Sequence, residues 1–283
     1  MVKSMLGVYK NSGAAMMPRK LSRGAPSALG RNIIITGASG GIGRVVARRF
    51  LADGDTIANL DRMPFPDSTP ALTSIPVDFG DPSAIASAFT TADQLFKAPP
   101  DVLVCCAAYS RPGHYLDVSL ADFDGMIATN LRGTFLCGQE AGRRMRQKGS
   151  GHIVVITSIV AEQAWAGESV YSVTKAGQQA LVRSMAVELA PFNICVNAVA
   201  PGLIDVKSAG MASERGDPEV FNHEMDRTPL GRFGAPEEIA HAIHHLTTVS
   251  WMTGQTVTVD GGYLASSMAY FGGRKARLMP PVA

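Results

Sequence analysis

The sequence predicts one α/β domain built around a parallel, doubly wound β-sheet. Seven short runs rich in β-branched residues alternate with longer stretches whose apolar residues recur at helical spacing. No internal repeat interrupts this alternation, and 283 residues suffice for one large domain of this class. The candidate strands are 32–36, 56–60, 72–77, 101–106, 152–157, 194–199 and 255–260.

Local signals mark where several intervening helices begin. Asp81 followed by Pro82 has the pattern of an N-cap with a proline in the first turn, and Ser119 with Asp122 has the spacing of a capping box. Pro236 precedes two glutamates, which suit the positive end of a helix dipole. These signals predict helices after the third, fourth and sixth strands, and 169–190 forms the clearest helical pattern of all.

Composition and charge exclude several classes of protein. Hydrophobic residues make up 46% of the chain and charged residues 18%, which is typical of a folded globular protein. The net charge is only +2 and the apolar runs are too short to span a bilayer, so we expect no nucleic-acid partner and no membrane. The four cysteines lack metal-ligand spacing and the histidines at 241, 244 and 245 have no cysteine or carboxylate at that spacing, so no metal is expected. Unpaired thiols favour a reducing compartment, and we expect a cytoplasmic protein.

The two ends of the chain differ in composition from its centre. Residues 1–30 are basic, contain no acidic residue and lack the apolar segment of a secretory signal, which predicts a disordered tail. Residues 264–283 form a second tail after the last strand, so the predicted catalytic domain is 31–263. Within that domain, the long stretch 203–228 has the glycines and proline expected of a substrate lid.

A glycine-rich turn, TGASGGIG at 36–43, follows the first strand directly and opens a helix. A sharp turn and a close backbone approach to a diphosphate both need residues without a Cβ, and Gly37, Gly41 and Gly43 fill those places. The helix N-terminus adds free N–H groups and the positive end of the helix dipole. The pattern therefore predicts a dinucleotide site at this turn.

The choice of dinucleotide depends on the end of the second strand. Asp61 lies 18 residues after Gly43, where a carboxylate accepts hydrogen bonds from the hydroxyls of the adenosine ribose and repels a 2′-phosphate. This position favours NAD over NADP. Arg62 keeps NADP open, because its guanidinium could reach a 2′-phosphate. Asp78, after the third strand, is placed either to accept from the adenine amino group or to cap the next helix.

A tyrosine and a lysine four residues apart indicate the chemistry. Tyr171 and Lys175 share one face of the helix 169–190, and a cation near a phenol favours the phenolate, which lets the tyrosine exchange a proton at neutral pH. Ser158 ends the fifth strand, at the edge where sheets of this kind bind ligands, and can hold the substrate oxygen. Asn130 lies within a helical pattern, and its amide could hold a water that links Lys175 to solvent.

As a set, these motifs resemble a classical short-chain dehydrogenase/reductase. TGASGGIG, NLRGTF, Ser158, YSVTK, NAVAPG and VDGGY have the order and spacing of that family across about residues 31–263. The resemblance implies a seven-stranded Rossmann-type domain, a nicotinamide cofactor and a catalytic tetrad of Asn130, Ser158, Tyr171 and Lys175. It also implies a homotetramer that packs through the helices near 120–147 and 169–190. The cofactor-binding residues expected on this basis are Gly37, Ser39, Gly41, Ile42, Gly43, Asp61, Arg62, Asp78, Phe79, Cys106, Ala107, Ala108, Tyr171, Lys175, Pro201, Gly202 and Ile204.

Two segments depart from the pattern of that family. The fourth strand ends in Cys105-Cys106-Ala107-Ala108 where the family usually has Asn-Asn-Ala-Gly, so we expect the loss of amide bonds that brace the sheet. Val206 stands where the family often has a threonine that bonds the nicotinamide carboxamide, although the backbone of Ile204 could still do so. We expect both changes to affect cofactor binding and neither to affect the tetrad.

The sequence thus predicts an oxidoreductase that transfers a hydride between NAD(H) and a secondary alcohol or its ketone, of the sugar, polyol or alicyclic type. The alternatives are an NADPH-dependent 3-oxoacyl-thioester reductase, which the segment RFGAPEEIA also resembles, and a non-catalytic dinucleotide sensor or scaffold. Substrate selection is expected in 109–115, 159–169 and 203–228, where Trp165 is either an apolar wall or a packing residue. Polar residues there favour an oxygen-rich or anionic substrate: Arg111, His114, Glu162, Gln163 and His223.

Overall fold

The computed structural model describes residues 30–67, 69–206 and 218–266. The two expected tails lie outside these residues, apart from residue 30 and residues 264–266. The middle of the expected lid, 207–217, lies outside them as well.

The described residues form a seven-stranded sheet in which every neighbouring pair of strands is parallel. The strands are β1 (Asn32–Thr36), β2 (Thr56–Asp61), β3 (Leu72–Pro76), β4 (Val102–Cys105), β5 (Gly151–Ile156), β6 (Ile194–Pro201) and β7 (Thr256–Val259). Their order in the sheet is β3-β2-β1-β4-β5-β6-β7, so the chain reverses its winding direction between β1 and β4. This confirms the predicted fold, with strand boundaries that differ from the expected ones by no more than two residues.

Helices cover both faces of the sheet. Short 3₁₀ turns occur at Ile159–Ala161 and Ala190–Phe192. A π-helical turn, Ile127–Arg132, lies within the expected helix near 120–147 and divides it in two. The α-helices are α1 (Gly41–Ala52), α2 (Pro82–Phe96), α3 (Leu120–Met126), α4 (Gly133–Lys148), α5 (Ser169–Leu189), α6 (Pro218–Arg227) and α7 (Pro236–Leu246).

The apolar residues of each strand alternate between two cores. Ile34 packs with residues of α2, α4 and α5 on one face, whereas Ile33 and Ile35 pack with residues of α1 and α7 on the other. Side chains of consecutive strand residues point to opposite faces, so strands covered on both sides need nearly continuous apolar runs. Cys105 and Cys106 likewise contact opposite cores, and both carry free thiols.

The expected helix starts are present. Asp81 accepts a hydrogen bond from the N–H of Ser83 at 2.8 Å, and Ser119 accepts one from the N–H of Asp122 at 3.1 Å. At the start of α7, the Glu238 carboxylate accepts from the N–H of Ala235 at 2.7 Å. These caps satisfy N–H groups that have no partner within their own helix.

Candidate active site

The glycine-rich turn passes close to the end of β4. The N–H of Gly37 donates to the carbonyl of Leu60 at 2.8 Å, and Gly37 has a φ of +74°. A Cβ at Gly37 would lie 2.8 Å from the Cα of Ala107, and a Cβ at Gly43 would lie 2.1 Å from the carbonyl oxygen of Gly37. Both positions therefore need glycine. The resulting cradle leads into the N-terminus of α1, where free N–H groups fit a diphosphate.

The rest of this turn contacts neighbouring segments. A Cβ at Gly41 would lie 3.0 Å from Cγ1 of Val206, so the chain that follows β6 returns to the glycine turn. Ile42 is partly buried against the core that contains α1. The hydroxyl of Ser39 donates to the carbonyl of Met63 at 2.6 Å, which joins the turn to the segment after β2.

Asp61 lies beside the glycine turn, as its predicted role requires. One carboxylate oxygen accepts from the N–H of Ser39 at 3.0 Å and the other accepts from the N–H of Met63 at 3.0 Å. Arg62 is exposed and forms no ion pair with another described residue. The structure thus brings Asp61 and Ser39 together and leaves Arg62 at the surface next to them.

Asn59 also supports the turn, although sequence reasoning did not single it out. This fully buried amide accepts from the N–H of Ala38 at 3.1 Å and donates to the hydroxyls of Ser39 and Ser74 at 3.0 and 3.3 Å. The signal that could have identified it is a single amide within an otherwise apolar buried strand, since a buried polar group needs partners.

The segment after β3 forms a turn at the edge of this region. Asp78 is exposed, and its carboxylate accepts from the N–H of Gly80 at 2.9 Å. Phe79 is buried, and a Cβ at Gly133 would lie 3.3 Å from its Cβ. The Asp78 side chain therefore shapes the turn before α2 in this structure.

The end of β4 is braced through its backbone. The Thr36 hydroxyl accepts from the N–H groups of Cys106 and Ala107, both at 3.1 Å, and so ties β4 to the end of β1. These bonds do not depend on the side chains at 105 and 106. Cys106 and Ala107 are partly buried, and Ala108 is exposed.

The segment after β6 approaches the site from the other side. Pro201 ends β6, and the N–H of Gly202 donates to the carbonyl of Val259 at 3.0 Å. A Cβ at Gly202 would lie 2.7 Å from the Cα of Asp260, so this position also requires glycine. Ile204 is buried, and its carbonyl accepts from the N–H of Val206 at 2.8 Å.

Tyr171 and Lys175 lie one turn apart in α5, as predicted. The Nζ of Lys175 is buried, donates to the carbonyl of Ile156 at 2.8 Å and lies 5.2 Å from the centre of the Tyr171 ring. Burial lowers the pKa of Lys175 to about 8, against a smaller opposing effect of the Cys106 and Cys105 thiols. The side chain is therefore mainly an ammonium at neutral pH.

The phenol of Tyr171 has a pKa above its ordinary value. Burial is the larger cause and the carboxylate of Glu168, three residues earlier, is the smaller one. This direction is opposite to the one expected from the Tyr-Lys spacing. Lys175 is close, but it does not offset the hydration that the half-buried phenol would lose on ionising.

Ser158 follows β5, two residues after the carbonyl that Lys175 contacts. It is half-buried, caps the 3₁₀ turn Ile159–Ala161 and accepts from the N–H of Val160 at 3.3 Å. A single long bond of this kind leaves the hydroxyl proton available to another acceptor.

Asn130 lies in the π-helical turn and is fully buried. Its amide oxygen accepts from the N–H of Tyr109 at 2.7 Å. Its amide nitrogen donates to the carbonyl of Tyr109 at 2.8 Å and to the hydroxyl of Thr174 at 3.1 Å. The side chain therefore ties the segment after β4 to α5, beside Lys175.

The backbone carbonyl of Asn130 also accepts hydrogen bonds from two side chains. Gln178 donates to it from Nε2 at 2.8 Å, and the Thr134 hydroxyl donates at 2.6 Å. Nε2 of Gln178 also donates to the Thr134 hydroxyl at 2.8 Å. Sequence reasoning missed Gln178 and Thr134. The available signal was a glutamine on the Tyr171-Lys175 face of a partly buried helix.

Two loops on the expected substrate side are joined to each other. The N–H of Gly113 donates to the carbonyl of Gly167 at 2.9 Å, and the hydroxyl of Ser110 donates to the carboxylate of Glu168 at 3.3 Å. The remaining polar candidates, Arg111, His114, Glu162 and His223, are exposed, and Gln163 is partly exposed.

Helix α6 packs on these loops through a small apolar cluster. The cluster contains Ile159, Leu203, Met225 and Tyr263, with Trp165 packed against it and its ring centre 5.7 Å from that of Tyr263. Trp165 therefore serves as a packing residue that connects the 159–168 stretch to α6.

Among the described residues, no group of three or more His, Cys, Asp and Glu side chains is arranged to hold a metal ion. Within the same residues, no helix is both long enough and apolar enough to cross a membrane. His244, one of the three clustered histidines, pairs with Asp53 at 2.7 Å.

Comparison with known proteins gives consistent matches over most of the chain. A family model described as Enoyl-(Acyl carrier protein) reductase matches residues 37–264. The 3-oxoacyl-[acyl-carrier-protein] reductase FabG of Aquifex aeolicus is 33% identical over 246 residues, which cover 82% of this chain and 97% of that protein. An NADPH-dependent aldehyde reductase-like chloroplastic protein of Arabidopsis thaliana is 30% identical, with 83% and 94% covered. The ligand-free aldohexose dehydrogenase of Thermoplasma acidophilum superposes with a TM-score of 0.80 at 27% identity, with 87% and 98% covered.

Proposed function

Because the chain belongs to the short-chain dehydrogenase/reductase family of oxidoreductases, we propose that it transfers a hydride between NAD(H) and a secondary alcohol or its ketone. The proposed substrate class is a sugar, a polyol or an alicyclic alcohol. The observation that carries this proposal is the grouping of Tyr171, Lys175 and Ser158 at the carboxyl edge of the sheet. The cradle formed by Gly37 and Gly43, which we propose as the dinucleotide site, opens at the same edge.

In the proposed mechanism, Tyr171 is the general acid and base. It takes the hydroxyl proton during oxidation and returns it during reduction, while Ser158 holds the substrate oxygen. A bound nicotinamide supplies or accepts the hydride. The raised pKa of the phenol favours its protonated form, which suits reduction, and the Lys175 ammonium stabilises the phenolate that oxidation needs. Asn130 holds Tyr109 and α5 in place, and we propose that it also supports proton exchange with solvent.

We propose NAD(H) as the preferred cofactor. Asp61 supports this choice, because its carboxylate is fixed beside Ser39 at the position proposed for the adenosine ribose, where it would repel a 2′-phosphate. The other expected cofactor residues remain part of the same proposal, with Pro201, Gly202 and Ile204 on the nicotinamide side.

A second candidate function is reduction of a 3-oxoacyl thioester with NADPH. The Aquifex aeolicus relative bears that activity in its name, the Arabidopsis thaliana relative is described as NADPH-dependent, and Arg62 is exposed beside Asp61. A non-catalytic sensor is a weaker third candidate, since the chain retains both Tyr171 and Lys175.

We further propose a homotetramer built on α3 to α5 and a cytoplasmic location. Apolar side chains on those helices are exposed in the single chain, including Phe123, Phe135, Val173 and Val187. Faces of this kind are typical of surfaces that a partner subunit covers.

The experiment that tests this proposal is a titration of the purified protein with NADH and with NADPH, followed by energy transfer from protein fluorescence to the nicotinamide. Turnover is then measured on polyols, aldoses, alicyclic alcohols and 3-oxoacyl thioesters with the preferred cofactor. Tighter NADH binding with alcohol oxidation supports the proposal. Tighter NADPH binding with turnover only on thioesters favours the second candidate, and binding without turnover on any of them favours the third.

A further inference from the structure

A cluster of opposite charges lies next to the proposed adenosine site. Two arginines of α1 converge on one carboxylate in the loop after β2. Arg44 donates to Asp67 from Nη2 at 2.7 Å and from Nε at 3.4 Å. Arg48 donates to the same carboxylate from Nε at 2.9 Å. Both arginines are thus held by a single acidic side chain.

This cluster belongs to the same two segments that form the dinucleotide cradle. Arg44 directly follows Gly43 at the start of α1, and Asp67 lies six residues after Asp61 in the loop that continues from β2. Ser39 and Met63, which Asp61 contacts, connect these two segments. The two segments that form the adenosine side of the cradle therefore also carry the charges of this cluster.

The side chains of this cluster are too exposed for their ion pairs to contribute much to the free energy of folding. The side chain of Asp67 is 40% exposed, and those of Arg44 and Arg48 are 37% and 52% exposed. Exposed ion pairs contribute little to folding. The two arginines instead lower the pKa of Asp67 through their hydrogen bonds, so the carboxylate stays ionised at neutral pH and keeps neutralising them.

The charged side chains on these two segments nearly balance one another. Arg44, Arg48 and Arg62 carry three positive charges, and Asp61 and Asp67 carry two negative ones. Without Asp67, two unpaired guanidinium groups would join Arg62 and could bind a 2′-phosphate. With Asp67 in place, both guanidinium groups are already occupied by a carboxylate.

We infer that Asp67 is a specificity-determining residue, which disfavours NADPH by neutralising Arg44 and Arg48 beside the adenosine site. This inference rests on the proposed function, since it concerns the cofactor site described there. Asp61 acts on the ribose directly, whereas Asp67 acts through the two arginines that it pairs with.

The test compares dissociation constants for NADH and NADPH in wild type and in Asp67→Asn, measured by the same fluorescence titration at low and high salt. The variant should bind NADPH about threefold to tenfold more tightly at low salt, with NADH affinity changed less than about twofold, because a 2′-phosphate interacts with two released charges. The gain should shrink as salt screens it. Adding Arg44→Gln and Arg48→Gln to Asp67→Asn should abolish it.

The matched control is Asp93→Asn, which removes another exposed carboxylate bound by an arginine, Arg144 at 2.7 Å, on helices α2 and α4. It should leave the NADPH to NADH ratio unchanged. Equal weakening of both dinucleotides in Asp67→Asn, or an unchanged ratio, would overturn the inference. If the wild-type protein binds neither dinucleotide, the proposed function fails; if it binds NADH and only the ratio fails to move, the inference alone fails.

Discussion

The two edges of the sheet differ in whether their buried charged side chains have partners of opposite charge. At the amino edge, Arg31 and Asp55 are both buried and form three hydrogen bonds with each other, and Arg31 also donates to Thr247 at 3.2 Å. At the carboxyl edge, Lys175 is equally buried, but its ammonium contacts only the Ile156 carbonyl and no carboxylate among the described residues. The buried ion pair of the amino edge is satisfied, whereas the carboxyl edge retains a charge that burial disfavours.

Other buried groups near α5 follow the same pattern. Among the described residues, six buried side-chain atoms lack a hydrogen-bond partner: Trp165 Nε1, Ser169 Oγ, Ser172 Oγ, Gln178 Oε1, Gln179 Nε2 and, at the amino edge, His152 Nδ1. Four of these six atoms belong to α5, the helix that carries Tyr171 and Lys175, and unsatisfied buried polar groups are more common at functional sites than elsewhere in a fold. The amino edge, in contrast, is arranged to hold β1, β2 and α7 together.

The largest expected effect is on turnover, when the proposed proton donor at the carboxyl edge, the Tyr171 hydroxyl, is removed. Tyr171→Phe should reduce turnover by a factor of about 10²–10⁴, the usual contribution of general acid-base catalysis, and leave NADH binding and the melting temperature nearly unchanged. Steady-state rates, the fluorescence titration and thermal unfolding of the same preparation measure these three quantities. Turnover within a few-fold of wild type would remove Tyr171 from the mechanism.

At the amino edge the corresponding substitution should affect stability instead. Asp55→Asn leaves the buried guanidinium of Arg31 with only the more distant Asp53 carboxylate at 4.0 Å, and we expect a loss of about 3–5 kcal/mol in the free energy of unfolding. Urea denaturation of both proteins measures it. Asp93→Asn, which breaks a partly exposed pair and leaves Arg144 paired with Glu140, should lose less than about 1 kcal/mol. Equal losses in the two variants would contradict the distinction between the edges.

The sequence predicted the architecture of the carboxyl edge but not the contacts of the side chains buried there. The seven strands, the helix caps and the proximity of Asp61 to Ser39 follow from local patterns, because residues at the ends of parallel strands gather at one edge. The contact between Gln178 and the Asn130 carbonyl depends on the π-helical turn at 127–132 and on the rotation of α5, which tertiary packing sets. The raised pKa of Tyr171 was missed for a related reason, since burial by distant segments has no local signal.

A third prediction concerns the effect of the buried Lys175 ammonium on the free energy of unfolding. Burial lowers the pKa of Lys175 to about 8 in the folded protein, against about 10.4 when unfolded, so carrying the ammonium destabilises the fold below pH 8. That penalty disappears as pH rises from about 8 to about 10.4, because the unfolded state alone binds the proton there. Lys175→Met should therefore raise the free energy of unfolding by about 1–3 kcal/mol at pH 7 and abolish turnover.

The control for this variant is Lys148→Met. Lys148 is partly exposed and pairs with Asp101, so its removal should give no stabilisation at pH 7. Urea denaturation at pH 7 and pH 10 tests both variants, and the advantage of Lys175→Met should be smaller at pH 10. A Lys175→Met protein that is less stable than wild type at pH 7 would show that burial of the Lys175 ammonium does not destabilise the fold.

The smallest expected effect concerns the acidity of Tyr171. The Glu168 carboxylate raises the pKa of that phenol, so Glu168→Gln should lower it and move the rise of alcohol oxidation with pH to lower pH. Glu237→Gln, which removes an exposed carboxylate in α7 outside the expected substrate stretches, should leave the profile in place. The measurement is kcat/KM for oxidation between pH 6 and pH 10. If only KM changes and the profile stays where it was, Glu168 acts on substrate binding, and the proton affinity of Tyr171 is set by burial alone.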